Sequence, residues 1–269
     1  LKASASRVEN EPLPLNYPGK EALQNVLKEA QTYFVPETEI NTREAMLAMI
    51  DKLDAAIVAY VFSQTYTREK PADVSYYLVE AFPQTKNYDI PVWKVDNAGE
   101  DKGDVWVGPG RDWIVGVDTT KMYCLNTWSN NFVSMNVYQE ITGLPNGLYS
   151  VSADAVTQKS CLNDQHAYIS SSMGVAVSDT LSGEGWDAYG ENSGCGEWET
   201  LTTDLLVVAD GKLRIGFAST STGTPGTNGW FQVANFVLKY HGEATADDMK
   251  AAWESTLARA NETVDILLI

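Results

Sequence analysis

The feature that most constrains the fold is a change in hydrophobic period along the chain. Between about residue 74 and residue 240, several segments have apolar side chains at every second position, as in Leu213, Ile215 and Phe217. Alternation of this kind puts successive side chains on opposite faces of a β-strand. The strand-like segments follow one another with no helical period between them, which predicts an antiparallel β-sandwich or barrel.

The alternation predicts individual strands and the turns between them. Asp210-Gly211 is typical of a two-residue hairpin turn. The alternation slips by one position in the last segment, which predicts a β-bulge near Asn235. The predicted strands cover residues 74–79, 132–141, 149–155, 198–208, 213–217 and 231–240.

Helical periods flank this region on both sides. The first follows Gly19, and the second opens with Asn41 and Glu44, whose spacing favours an N-terminal cap. A third begins at the capping pair Thr245 and Asp248. We therefore predict an α+β, mainly β chain in which a sandwich is inserted into a three-helix bundle. The predicted parts are a linker (1–19), a helical hairpin (20–70), a sandwich (71–242) and a C-terminal helix (243–269) that packs on the N-terminal helices.

Charge limits the classes of partner. The chain has 269 residues with 19 basic and 36 acidic side chains, for a net charge of −17. Such a field repels phosphate backbones and anionic lipid, so nucleic acid and membrane surfaces are poor partners, whereas a neutral ligand is unaffected. No apolar run reaches the roughly 20 residues that span a bilayer. We expect a secreted, periplasmic or outer-membrane surface protein from which a signal peptide has been removed.

Three cysteines, Cys124, Cys161 and Cys195, have no spacing typical of zinc ligands. Two arrangements are open: one disulfide between Cys161 and Cys195, which lie in polar stretches, or three reduced thiols.

Three motifs in the predicted sandwich resemble one family. They are Gln139-Glu-Ile-Thr-Gly-Leu-Pro-Asn-Gly-Leu-Tyr149, then Trp198-Glu-Thr with Val207-Val-Ala-Asp-Gly-Lys-Leu-Arg-Ile-Gly-Phe217, and finally Gly229-Trp-Phe-Gln-Val-Ala-Asn-Phe-Val-Leu-Lys-Tyr240. In this order they resemble the galactose-binding-like jelly-roll modules of polysaccharide-processing surface proteins from gut Bacteroidetes. The flanking helices are similar to small helical repeats found between such modules. The resemblance implies a jelly roll that binds carbohydrate outside the cell.

The resemblance also bears on metal ions. Ala234 stands where the family's closing motif usually has Asp, which argues against the family's structural ion at that position. Glu80 is a further ligand implied by the resemblance. Independently of it, residues 96–104 form an acidic, glycine-rich stretch whose oxygen ligands suit calcium. The candidate calcium ligands are Glu80, Asp96, Asp101 and Asp104.

Sugar binding has the best physical case among the candidate functions. A neutral sugar stacks its C–H face on an aromatic ring while amides, carboxylates and Arg bond its hydroxyls. Three stretches, 111–113, 126–131 and 185–192, combine these residue types; in each, the Trp could instead close one end of the sandwich. The candidate ligand-binding residues are Arg111, Trp113, Trp128, Asn130, Asn131, Trp186, Tyr189 and Asn192.

Catalytic motifs are not found in the sequence. It has two histidines, His166 and His241, and neither a G-x-S-x-G nor an H-E-x-x-H pattern. We therefore expect no enzyme, and no cofactor beyond the calcium considered above. The first hypothesis is a non-catalytic carbohydrate-binding module for a neutral oligosaccharide or polysaccharide, with neighbouring modules as further partners. The alternatives are an adhesin-like spacer without a small ligand, and part of a glycoside hydrolase with two facing carboxylates.

Overall fold

The computed structural model of the chain describes residues 17–33, 42–78, 92–98, 104–109, 123–128, 134–157, 164–182, 198–219 and 230–267. The chain divides into two compact units, Leu1–Tyr76 and Tyr77–Ile269. The helices are α1 (Lys20–Gln31), α2 (Arg43–Val61) and α3 (Ala246–Leu267), with a short 3-10 helix at Ser75–Tyr77. The strands are β1 (Ala72–Asp73), β2 (Lys94–Ala98), β3 (Asp104–Pro109), β4 (Tyr123–Trp128), β5 (Ser134–Thr142), β6 (Gly147–Val156), β7 (His166–Ser171), β8 (Gly174–Val177), β9 (Glu199–Thr202), β10 (Leu206–Val208), β11 (Lys212–Ser219) and β12 (Gln232–Tyr240).

The first unit contains a helical hairpin of α1 and α2. Leu53 and Ile57 of α2 are fully buried, and Lys52 of α2 pairs with Glu29 of α1 at 2.6 Å. The N-cap of α2 is Thr42, whose hydroxyl accepts a hydrogen bond from the backbone of Ala45 at 3.1 Å. Glu44 therefore falls in the first turn, one position away from the predicted capping arrangement, where its charge favours the helix N-terminus.

The predicted strand at 74–79 is wrong. Asp73 ends β1, and its Oδ1 accepts a hydrogen bond from the backbone of Ser75 at 2.9 Å. This Asx turn diverts the chain into the 3-10 helix, since a local side-chain acceptor competes with strand pairing.

The second unit is mainly β, with two antiparallel sheets. The first sheet has the strand order β10-β6-β12-β4-β3, and β9 also pairs with β6. The second has the order β2-β5-β11-β7-β8. The two sheets bury their facing side chains, as where Phe217 of β11 meets Phe231, just before β12, with ring centroids 4.9 Å apart. Trp230 lies in the core and is 1% exposed.

The turn at Asp210-Gly211 is present, but the predicted hairpin is wrong. Strand β10 pairs with β6 in the first sheet, whereas β11 pairs with β5 and β7 in the second. The turn therefore crosses from one sheet to the other. Gly211 has φ +67° and lies against the β5–β6 connection, where the backbone of Leu144 donates to its carbonyl at 3.1 Å. That contact anchors the turn to the β5–β6 connection, while β10 and β11 leave it to pair in different sheets.

The predicted bulge in β12 is confirmed. The register with β6 shifts between Ala234 and Val237. Asn235 has φ +52°, a left-handed conformation that Asn tolerates better than most residues.

The C-terminal helix forms with its predicted cap. The hydroxyl of Thr245 accepts a hydrogen bond from the backbone of Asp248 at 3.2 Å, and Asp248 Oδ2 accepts one from the backbone of Thr245 at 2.8 Å. Helix α3 contacts β8 and β10 of the sandwich, and Thr256 donates to the carbonyl of Met173 at 2.8 Å. The predicted bundle with the N-terminal helices is not confirmed.

Domain boundaries at 70/71 and 242/243 stay predictions.

Candidate functional site

Most residues predicted to bind sugar lie outside the described residues. These are Arg111, Trp113, Asn130, Asn131, Trp186, Tyr189 and Asn192. Trp128 is the last residue of β4, so the predicted 126–131 loop begins as a strand. Asn126, which belongs to that predicted loop, is 3% exposed. Its amide oxygen accepts a hydrogen bond from Gln232 inside the sandwich.

Most of the residues predicted to bind calcium or to form a disulfide also lie outside the described residues. Glu80, Asp101, Cys161 and Cys195 lie outside the described residues. Asp96 is exposed within β2, while Asp104 begins β3 in the other sheet. Within the described residues, no three His, Cys, Asp or Glu side chains cluster as a metal site. The calcium site and the disulfide stay predictions.

The described residues do contain one concentrated polar surface, the outer face of the second sheet. Residues of β5 and β11 alternate, so Val137, Ile215 and Phe217 are buried against the first sheet while the intervening side chains lie on the other side. Register brings the outer residues together, because Lys94 is opposite Tyr138 and Glu140 is opposite Arg214. The outer-face residues used below are Lys94, Asn136, Tyr138, Glu140, Tyr168, Ser170, Lys212, Arg214 and Gly216.

An ionic chain runs across three strands of this face. Glu140 Oε1 accepts a hydrogen bond from Arg214 Nη2 at 2.9 Å, and its Oε2 pairs with Lys94 Nζ. The hydrogen bond from Lys94, followed by that from Arg214, holds the pKa of Glu140 below its usual range. Glu140 is therefore a charged hydrogen-bond acceptor at neutral pH, and a poor candidate for the protonated general acid of a hydrolase.

Two tyrosines lie on the same face as this ionic chain, and one of them contacts Arg214. The Arg214 guanidinium lies 4.1 Å from the centroid of the Tyr138 ring, a cation–π contact. Tyr168 donates a hydrogen bond from its hydroxyl to Asn136 Oδ1 at 2.7 Å. Its ring lies over Gly216, where a Cβ would come within 2.7 Å of Tyr168 Cε1. Burial raises the pKa of Tyr168 to about 12.

A pocket of about 450 Å³ opens at one end of this face. We call it the β5–β11 pocket. Its lining combines two carboxylates, two cations and several hydroxyls with the apolar residues Ile141 and Leu213. The lining residues are Glu140, Ile141, Thr142, Ser170, Ser171, Ser172, Asp210, Lys212, Leu213 and Arg214.

The charged side chains that line the pocket sum to no net charge, whereas the whole chain has a net charge of −17. Glu140 and Asp210 carry two negative charges, and Lys212 and Arg214 carry two positive ones. Asp210 Oδ1 accepts a hydrogen bond from the backbone of Lys212 at 3.2 Å, which fixes its carboxylate at the turn. A site with donors, acceptors and no net charge suits a neutral ligand with many hydroxyl groups.

Two further polar clusters have structural explanations. Asp154 accepts hydrogen bonds from Thr200 at 2.6 Å and from Asn235 at 2.8 Å, which joins β9 and the bulge of β12 to β6. His241 Nε2 lies 2.8 Å from the hydroxyl of Ser150. Ser150 is 4% exposed, so this pair has little access for a substrate.

Sequence reasoning missed the β5–β11 pocket. One signal was available, because the alternation in β5 places Asn136, Tyr138 and Glu140 on the face opposite the apolar side chains. Three polar residues at alternate positions predict a polar face, but a solvated sheet face has the same pattern, so this signal does not locate a pocket. The partners Lys94 and Arg214 could not be assigned, since they lie 46 and 74 residues from Glu140 in the chain.

Comparison with known proteins gives distant structural likenesses. No protein-family model matches the sequence, and no curated protein matches it. The carbohydrate-binding module TmCBM61, solved with β-1,4-galactotriose, is similar at 19% identity and a TM-score of 0.37, over 57% of this chain and 90% of that one. A family 11 carbohydrate-binding module from Clostridium thermocellum, with a mixed-linked tetrasaccharide, has 10% identity and a TM-score of 0.33 over 60% and 99%. A putative sugar binding protein from Bacteroides thetaiotaomicron has 12% identity and a TM-score of 0.32 over 55% and 87%.

The fold assignment rests on the strand order and register in this chain. Both define a mainly β protein of two antiparallel sheets with few helices. Among the described helices, none combines the length and apolar character needed to cross a membrane.

Proposed function

We propose that the chain is a non-catalytic carbohydrate-binding protein that holds a neutral oligosaccharide or polysaccharide in the β5–β11 pocket. The observation that supports this most directly is the pairing of Glu140 and Arg214 among hydroxyl groups in a charge-balanced pocket. Sugar hydroxyls both donate and accept, so fixed carboxylate and guanidinium groups side by side can bond the same sugar ring.

The setting of the module belongs to the same proposal. The sandwich would be a galactose-binding-like jelly roll, part of an extracellular surface protein for polysaccharide use in gut Bacteroidetes. Neighbouring modules of a larger protein would be its other partners. The motifs between Gln139 and Tyr240 support this setting.

The size of the pocket limits how much ligand it encloses. About 450 Å³ is at the lower end of small-molecule pockets and accommodates one or two sugar rings. The described tyrosines of this face, Tyr138 and Tyr168, are each 8% exposed. Hydrogen bonding, rather than stacking on these rings, would therefore supply most of the affinity at this site.

Calorimetric titration with sugars tests the proposal. The first probes are β-1,4-galactotriose and the mixed-linked tetrasaccharide, followed by a glycan array. For a ligand that binds, we expect Arg214→Ala to weaken affinity about tenfold or more, because a hydrogen bond to a charged group contributes about 1.5–3 kcal/mol. Arg214→Lys keeps the charge but removes the planar fork, and should also weaken binding.

Two controls separate this site from the alternatives. Lys239→Ala changes an exposed cation on the first sheet and should leave affinity unchanged. If Trp186→Ala abolishes binding while Arg214→Ala does not, the loop prediction holds and the pocket is not the site. If no array glycan binds the unsubstituted protein, the spacer hypothesis is favoured. Release of reducing ends from a bound glycan would favour the hydrolase hypothesis.

A further inference from the structure

Lys94 lies outside the β5–β11 pocket yet contacts one of its lining residues. It belongs to β2, at the edge of the second sheet, and its ammonium pairs with Glu140 Oε2. The opposite oxygen of Glu140 accepts a hydrogen bond from Arg214 Nη2. The carboxylate is thus held from both sides by cations of two different strands.

This arrangement restricts the Arg214 side chain. Glu140 holds one terminal nitrogen of the guanidinium, and the Tyr138 ring supports its plane at 4.1 Å. A guanidinium has five N–H donors, and the hydrogen bond from Nη2 to Glu140 uses one of them. Since Arg214 lines the pocket, restricting its plane restricts the remaining donors as well.

We propose that Lys94 is a positioning residue for carbohydrate binding, which fixes Arg214 in the pocket by holding Glu140 and contacts no sugar itself. This inference rests on the proposed function of the same pocket. Without Lys94, the Glu140 carboxylate loses one of its two cationic partners and can rotate. Arg214 then loses its fixed partner and spends less time in the binding geometry.

The groups around Glu140 give the inference a pH signature. Lys94 of β2 pairs with its carboxylate, Arg214 lies opposite it on β11, and Tyr138 precedes it by two residues on β5. Lys212 and Asp210 line the same pocket. The two cations hold the pKa of Glu140 below its usual range. Binding in the unsubstituted protein should therefore persist as pH falls until that lowered pKa is reached. Removing Lys94 raises the pKa, so the loss of affinity should begin at a higher pH.

The test is titration of Lys94→Met with the best-binding glycan between pH 3.5 and pH 7.5. Met keeps the apolar stem and removes the charge. We expect about three- to fivefold weaker affinity at pH 7, which is the scale of an exposed ion pair. We also expect the acid limb of the affinity profile to shift to higher pH. Lys94→Arg restores a cation and should recover both properties, while Lys239→Met is the matched control on the first sheet.

The outcomes distinguish this inference from the proposed function. If the unsubstituted protein binds no glycan, the proposed function and this inference both fail. If Lys94→Met binds with unchanged affinity and an unchanged acid limb, the inference alone is overturned. If affinity falls but the acid limb does not move, or if Lys94→Arg fails to recover, the effect of Lys94 does not act through the Glu140 charge, which overturns the inference as well.

Discussion

At the scale of single residues, Gly216 allows the outer face of the second sheet to form. It lies opposite Tyr138 on β5 and opposite Tyr168 on β7. A Cβ at this position would lie 2.6 Å from the carbonyl of Val137 and 2.7 Å from the Tyr168 ring. Because glycine has no side chain, the Tyr168 ring can lie across β11 at this position, and its hydroxyl donates a hydrogen bond to Asn136.

Gly216→Ala tests this close approach. We expect a loss of about 1–3 kcal/mol in the free energy of unfolding, because the added methyl group overpacks a site with backbone on one side. Urea denaturation measures it. Lys212→Ala, an exposed change on the same strand, should stay within about 0.5 kcal/mol. Equal stabilities for Gly216→Ala and the unsubstituted protein would show that the Tyr168 ring moves aside at little cost.

At the scale of elements, the bulge in β12 links three strands of the first sheet. Asn235 occupies the left-handed position and donates to Asp154 of β6, which also accepts a hydrogen bond from Thr200 of β9. A backbone irregularity is thus combined with a side-chain hydrogen bond to the neighbouring strand. The bulge holds the short edge strand β9 on the sheet through the shared carboxylate.

Asn235→Ala and Asn235→Gly separate the two contributions. Ala loses the hydrogen bond and also strains the backbone at φ +52°, so we expect a loss of about 1–2 kcal/mol in the free energy of unfolding. Gly loses only the bond and should be less affected. Chemical denaturation, with Lys239→Ala on the same strand as control, measures both. A larger loss for Gly than for Ala would contradict the assignment of backbone strain to this position.

At the scale of the whole molecule, the net charge of −17 contrasts with the balanced charge of the β5–β11 pocket. The long-range field repels polyanions, whereas a neutral glycan approaches without an electrostatic barrier. We expect no retention on heparin or on anionic vesicles at 0.15 M salt, and little change in glycan affinity between 0.05 and 0.3 M salt. Affinity chromatography and calorimetry check the two expectations. Saturable heparin binding would contradict the first.

Local sequence pattern predicts the structural elements that depend on residues close together in the chain. The strand at 132–141 and the helix starting at Thr245 follow from periodicity and capping, because both signals lie within a few residues. The prediction of a strand at 74–79 is wrong because Asp73 makes a local hydrogen bond that overrides the alternation. The first three residues of the predicted loop at 126–131 are strand instead, because β4 pairs with β3 and β12, and the segment itself does not reveal these partners.

By itself the sequence determined the mainly β character, the bulge at Asn235, the turn at Asp210-Gly211 and the apolar side of β6, β11 and β12. Each of these depends on side-chain size, alternation or backbone preference over a few residues. Only the tertiary structure decided that the Asp210-Gly211 turn crosses between sheets, and that Lys94, Glu140 and Arg214 meet on one face. Those outcomes depend on which distant strands pair and in which register, and the register is set by packing of the whole core.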